Sequence, residues 1–496
     1  MMTTVQHYIH GELFAEPLTS PSTPLFNPAT GDESGNVPMA SEETLRAVLA
    51  SATTGAVTWG SSSLSQRSAV LFRFRELLVQ HTDELASLIT REQGKTLADA
   101  RGELARGLEN VEYACGLIEH LKGDFSGGVA DGVDVHSFRE PVGIVLAVTP
   151  FNFPAMVPLW MLANAVAAGN AVIVKPSERD PSAAIHLAEL WTAAGLPPGV
   201  VNVIHGDRHT VQSLVEAPEI AAVSFVGSTP VAQSLYETGT KLGKRVQALG
   251  GAKNHMVVLG DADLDVAADA AVNAGYGAAG ERCMAISVVV AVGPIADALV
   301  AKISQRIDAL RVGPGDDTTS DLGPLITREH RDRVASYVHG APSEGATVVR
   351  DGSAETDRPG FFFGPSLLDH VTPSMRCYRD EIFGPVLSVV RTETYEEAVA
   401  LINANPYGNG VAVFTRDGNA ARRFSRDVTV GMIGINVPIP VPVASYSFGG
   451  WKDSLFGHAH MYGPEGFAFF TRGKVVTTRW PQPSDSQIDL GFPRTR

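Results

Sequence analysis

Residues 143–178 read GIVLAVTPFNFPAMVPLWMLANAVAAGNAVIVKPSE, and this stretch decides the fold. It opens on a short apolar run, Gly143–Thr149, which reads as a buried strand. Ala155–Ala168 then carries helical patterning, and a second run rich in β-branched residues follows at Ala171–Lys175. The rhythm continues outward. Strand candidates at Val200–His205, Ala221–Val226 and Arg245–Leu249 alternate with helix candidates at Pro181–Ala194, Thr210–Glu216 and Pro230–Leu242. Strands and helices at this spacing predict an α/β protein with a doubly wound parallel sheet covered on both faces.

Upstream, Glu42–Ser126 reads as mostly helical, with Ser65–Leu85 and Arg101–Lys122 as examples. Gly127–Arg139 reads as a short hairpin interrupting the first domain. After Gly251 a second α/β region begins, with apolar runs at Met256–Leu259, Ser287–Val292 and Val386–Val390. It predicts a second domain of about 200 residues. The last strand candidate is Gly473–Thr478.

The chain has 496 residues and a formal charge of −15. That charge disfavours a broad nucleic-acid or anionic-membrane surface, but leaves room for a small cationic pocket. Cys115, Cys283 and Cys377 form no CxxC pair, which favours a reducing compartment, no disulfide framework and no metal site of the structural zinc type. Met1–Pro17 lacks the apolar stretch of a signal peptide and the arginines of a transit peptide, so a cytoplasmic protein is expected. The most apolar runs are too short to span a bilayer.

No GxGxxG follows any predicted strand, which counts against an ordinary Rossmann site. A different loop, Phe225-Val-Gly-Ser-Thr-Pro230, joins a strand to a helix. Ser228 or Thr229 can cap that helix, and its N-terminus suits a pyrophosphate; a capped helix without ligand is the alternative. Lys175 and Glu178 stand at a strand's carboxyl end, where they can meet ribose hydroxyls or form a solvated turn. Glu178 would repel a 2′-phosphate and so favours NAD over NADP, whereas neighbouring Arg179 would accept one. In Thr149-Pro-Phe-Asn-Phe-Pro154 two prolines hold Asn152 still, as an oxyanion donor or as an Asx turn. Gly277-Ala-Ala-Gly-Glu-Arg-Cys-Met284 ends on a cysteine beside Arg282, a cation that favours the thiolate. Cys283 therefore reads as a nucleophile, and Cys115 and Cys377 as small core residues. In Asp380-Glu-Ile-Phe-Gly-Pro385, Glu381 and Phe383 share a face if the chain is extended, or belong to an ordinary turn.

Taken in order, TPFNFP, VIVKPSE, FVGST, GERC, EIFGPV and SFGGWKDS resemble the aldehyde dehydrogenase superfamily over nearly the whole chain. The resemblance implies an NAD-binding domain at 1–124 and 143–248, a catalytic domain at 249–448, and an oligomerisation arm and tail at 125–142 and 470–496. It implies homodimers or homotetramers and NAD binding without GxGxxG. It also implies Cys283 as nucleophile, Asn152 as oxyanion donor, and a cofactor site drawn from Thr149, Phe151, Lys175, Glu178, Arg179, Ser228, Gly250, Glu381 and Phe383.

One departure narrows the reaction. Hydrolytic members carry a glutamate in Glu-Leu-Gly-Gly-Lys, which activates water; here that slot is Ala248, in Gln247-Ala-Leu-Gly-Gly-Ala-Lys-Asn-His255. General-base help is worth about 10²–10⁴ in rate, and a thiol acceptor does not need it. Gly251-Ala-Lys-Asn-His255, Arg282-Cys-Met, Arg376-Cys-Tyr and Val437-Pro-Ile-Pro-Val-Pro442 resemble the CoA-acylating methylmalonate-semialdehyde dehydrogenases. That resemblance implies coenzyme A as co-substrate, a semialdehyde bearing a carboxylate, and loss of CO₂. Arg106 and Arg282 are the candidates for binding that carboxylate; a salt bridge with a neighbouring glutamate is the alternative for Arg106. A hydrolytic aldehyde dehydrogenase releasing a free acid is the competing reading.

Overall fold

The computed structural model describes residues 3–17, 19–481, 488, 490 and 491; the rest of the expected tail at 470–496 lies outside the described residues. The alternation read from residues 143–249 forms one sheet. Its five central strands are Ile144–Val148, Ala171–Lys175, Val201–Val203, Ile220–Val226 and Arg245–Leu249, all parallel. They are apolar runs because both faces are covered; every residue of Ile144–Val148 and Ala171–Lys175 is buried. Three edge strands have no counterpart in the sequence reading. His7–Ile9 and Glu12–Phe14 extend one side, and Leu455–Phe456 pairs antiparallel with Arg245–Leu249 on the other.

The helix Met156–Ala167 is buried on every side, as an all-round apolar helix must be. Two expected helices are divided. Ser65–Leu85 becomes Leu64–Gln80 and Thr82–Gln93, which meet at His81 (φ −98, ψ 11). Arg101–Lys122 becomes Leu97–Cys115 and Leu117–His120; the first starts early because the Thr96 hydroxyl caps it at Asp99 N.

The second sheet has seven strands, six of them parallel, with Asn254–Val258 and Ile286–Val292 near its centre. Its edge strand Thr347–Arg350 is antiparallel. A third sheet joins the hairpin Phe125–Ala130 and Val133–Pro141 to the late strand Thr471–Arg479. Phe125, Val475 and Trp480 are exposed on it or at its end. Among the described residues no helix is long and apolar enough to cross a membrane.

Candidate active site

Cys283 sits where a tight turn enters the second sheet. Ala278, Ala279 and Gly280 all have positive φ (51°, 52° and 72°), and a Cβ on Gly280 would lie 2.3 Å from Gly384 O. Only a small-residue run tolerates that path. Two asparagines fix the main chain of Cys283: Asn254 Nδ2 and Asn409 Nδ2 donate to Cys283 O at 2.9 and 3.1 Å.

Cys283 is partly buried and stands between two cavities. One, of about 320 Å³, is walled by Trp160, Phe448, Val157, Phe153 and Leu249 and also holds Asn152, Asn409 and Gly250. No carboxylate or imidazole lines it. The other, of about 350 Å³, contains Arg282, Glu381 and Phe383. Ala248 lines neither; it is fully buried in its strand, registered against Phe225 and Phe456.

Asn152 faces the first cavity, and among the described residues nothing hydrogen-bonds its side-chain amide. Its main chain is clamped. Lys95 Nζ donates to Asn152 O at 2.5 Å and to Glu103 Oε2 at 2.7 Å, and lies over the Phe153 ring. Glu103 Oε1 accepts from Ala155 N and Met156 N at 2.8 and 3.0 Å. It caps a helix whose own N-cap residue, Ala155, offers no side-chain bond. Both members of the ion pair are essentially inaccessible. Sequence reasoning missed this clamp, although Glu103 stands only three residues before Arg106.

Burial pushes the Cys283 thiol up to about 12, and the nearby Glu381 pushes the same way. The Cys283 and Met284 N–H groups oppose this, and Arg282 opposes it least. The expected thiolate-favouring role of Arg282 is therefore outweighed. Its guanidinium is ion-paired with Asp99, which also accepts from Ala278 N at 3.1 Å. Arg106 donates to Glu109 at 2.6 Å and to Pro442 O at 2.7 Å. Tyr462 Oη donates to the same Pro442 oxygen at 3.1 Å and packs on Trp160 and Phe448. Arg106 thus holds the Pro-rich loop beside the aromatic wall. Two residues before Cys283, Glu281 is buried against Gln93 (2.8 Å), and burial raises its carboxyl to about 8.

The candidate cofactor residues gather around the carboxyl ends of the first sheet. Thr149 N bonds Lys175 O at 3.1 Å, tying two strand ends together. Lys175 Nζ pairs with Glu178 at 3.1 Å. Burial raises the Glu178 carboxyl and the Lys175 ammonium lowers it; the net shift is downward. Arg179 lies over the Phe151 ring at 5.3 Å, and Phe151 meets Phe383 edge-on at 5.8 Å. Ser228 is the N-cap residue of the helix Thr229–Lys241, but its side chain makes no capping bond. Thr229 Oγ1 turns away to accept from Gly251 N at 2.9 Å. The expected side-chain cap is absent; Pro230 carries no N–H and Val231 N bonds Ser228 O at 3.1 Å, so among the described residues Thr229 N is the donor of the first turn left without a partner.

Glu381 and Phe383 line one cavity, but not through an extended chain: Phe383 has φ +58. His330 Nε2 holds Phe383 O at 2.6 Å, while Lys253 Nζ bonds Cys377 O and Asp380 O at 2.7 Å. Glu381 Oε1 accepts from Ala252 N at 2.9 Å. A Cβ on Gly251 would lie 2.4 Å from Glu381 Oε2, and one on Gly250 2.7 Å from Asp453 O.

Known proteins share this architecture. A malonate-semialdehyde dehydrogenase of Pseudomonas aeruginosa is 52% identical over 497 residues, covering 99% of this chain and 100% of that protein. The crystal structure of a methylmalonate-semialdehyde dehydrogenase from Oceanimonas doudoroffii superposes with a TM-score of 0.95 at 51% identity, covering 97% and 99% of the two chains. A Sinorhizobium meliloti protein assigned as a methylmalonate-semialdehyde dehydrogenase, in complex with NAD, gives 0.96 at 48% identity over 98% and 100%. The Aldehyde dehydrogenase family profile matches residues 16–476, and the chain belongs to that family.

Proposed function

We propose that this chain catalyses the NAD-dependent, CoA-acylating oxidation of malonate semialdehyde or methylmalonate semialdehyde. The products are acetyl-CoA or propionyl-CoA and CO₂, formed through a thioester on Cys283. One observation carries the choice of acceptor: the cavity shared by Cys283 and Asn152 contains no carboxylate or imidazole to activate water. Similarity to semialdehyde dehydrogenases supports the substrate class.

In this reading the Cys283 sulfur attacks the aldehyde carbon, and the Asn152 amide and the Cys283 N–H stabilise the oxyanion. NAD, when bound, supplies the hydride acceptor. The acyl group left on Cys283 carries its carboxylate β to the thioester carbonyl, so loss of CO₂ yields an enolate that the same donors stabilise and that takes up one proton from solvent at its α-carbon to give the acetyl or propionyl thioester. The CoA thiol then displaces Cys283 and carries the acyl group away.

The residues fit NAD. The N-terminus of the helix Thr229–Lys241, with its dipole and the Thr229 N–H, suits a pyrophosphate, and Lys175 with Glu178 suits a ribose. The side-chain-free approach at Gly250 and Gly251 leaves Glu381 and Phe383 beside Cys283. Arg106 and Arg282 are assigned to the substrate carboxylate, Arg282 in competition with Asp99. We assign residues 1–124 and 143–248 to cofactor binding and 249–448 to catalysis. The arm, 125–142 with 470–496, is assigned to homodimer or homotetramer formation, which would cover Phe125 and Val475. Three free cysteines suit the cytoplasm.

NADH formation from each semialdehyde, measured with and without CoA, tests the reading. Turnover is expected to need CoA, with an acyl-CoA product and CO₂. Full-rate turnover without CoA, giving a free acid, would favour the hydrolytic alternative.

A further inference from the structure

Away from the active site, three side chains converge where the helices Leu64–Gln80 and Thr82–Gln93 meet the helix Ser182–Ala193. His81 occupies the junction of the first two, Glu84 lies in the first turn of the second, and His186 comes from the third. One ligand atom from each lies within 4.8 Å of the other two. Glu84 Oε2 is 2.8 Å from His81 Nδ1 and 3.6 Å from His186 Nε2. Ligands placed tetrahedrally around zinc at its usual bond lengths stand about 3.3 Å apart. The two spacings from Glu84 Oε2 bracket that value.

Two further observations separate it from an ordinary surface cluster. His186 Nε2 is shielded from solvent and has no hydrogen-bond partner among the described residues. The opposite ring nitrogen, Nδ1, is 3.3 Å from Glu189 Oε2. A carboxylate there accepts the hydrogen bond that Nδ1–H donates and leaves the Nε2 lone pair free, as in the carboxylate–histidine–metal arrangement. The missing CxxC pairs argue against a thiolate zinc site; they do not bear on a histidine–carboxylate site assembled from two separate parts of the chain.

We propose that His81, Glu84 and His186 bind one divalent zinc ion, oriented by Glu189 and completed by water. Imidazole and carboxylate ligands suit this ion. Bound there, it would tie the His81 junction to the helix Ser182–Ala193. An ion that binds only the folded chain stabilises it.

The test uses the full chain, freed of metal by chelation and with its reactive thiols blocked by iodoacetamide. Co²⁺ is titrated as a spectroscopic stand-in, then displaced by Zn²⁺. One equivalent of Co²⁺ with a ligand-field absorption band is expected, together with a Zn²⁺-dependent rise in Tm. His186→Ala and Glu84→Gln are expected to abolish the band, and Glu189→Gln to weaken binding by about 10- to 100-fold. His209→Ala, at a separate surface pair with Glu42, should leave it unchanged. Absence of the band in the unsubstituted chain overturns the proposal. So does its survival in His186→Ala, or in Glu84→Gln if His186→Ala does not fold.

Discussion

Lys95→Met removes the ammonium that holds the main chain of Asn152 while keeping an unbranched side chain of similar length. Lys95 bonds Glu103 at 2.7 Å and Asn152 O at 2.5 Å with almost no solvent contact. Removing one partner of a buried pair destabilises by about 3–5 kcal/mol, because the other charge stays buried alone. The loss is expected near the lower limit, since Glu103 keeps the Ala155 and Met156 N–H donors. The activity loss has an upper bound: deleting an oxyanion donor outright lowers kcat by about 10²–10³. A displaced but intact Asn152 is expected to lower kcat by about 10- to 100-fold, with a smaller change in KM. The double variant Lys95→Met/Glu103→Gln separates the two effects. Its amide carbonyl can still cap the helix and no charge is stranded, so stability should recover while kcat stays low. Urea unfolding and initial rates of NADH formation measure both quantities. A Lys95→Met enzyme that unfolds earlier but keeps the original kcat would show that Asn152 is held by other contacts and refute the clamp.

Arg106→Ala is expected to raise KM for the carboxylated semialdehyde at least tenfold more than for propanal; equal effects on both would refute carboxylate recognition, since the Pro442 contact serves either substrate. Iodoacetamide labelling of Cys283 without cofactor is expected to climb about tenfold per pH unit from 7 to 9, because only the thiolate reacts and burial pushes the thiol up to about 12. A plateau of labelling near pH 7 would contradict that environment.

The parts of this protein legible in the sequence are those whose signal is local. Strands such as Ile144–Val148 read as unbroken apolar runs because both faces are covered. Asn152 between two prolines and Cys283 after a glycine-spaced turn stand out within a few residues as candidates, and the structure brings both to one cavity. Contacts between distant residues stay hidden. Arg106 and Pro442 are 336 positions apart, and Asp99 takes the guanidinium of Arg282 from 183 positions away. The Glu381–Phe383 reading found residues of one cavity through the wrong geometry, since the chain there turns through a positive φ. Edge strands as short as Leu455–Phe456 carry too few residues to show a period, and the helix break at His81 has no proline or glycine to mark it.

The raised thiol of Cys283 and the cavity without carboxylates belong to one argument about protons. A leaving thiolate with a high pKa departs reluctantly, which would slow release of the acyl group. It also takes a proton readily. The CoA thiol sheds a proton as it attacks, and Cys283, which holds its own proton up to about pH 12 in this environment, accepts one as it leaves. The exchange is proton-neutral and needs no resident base. A water acceptor must lose protons on becoming a carboxylate, and a cavity lined by Trp160, Phe448, Val157 and two asparagines offers no basic side chain to receive them at the moment of attack. The same burial that makes Cys283 a reluctant thiolate therefore favours a thiol over water as its partner in the proposed reaction.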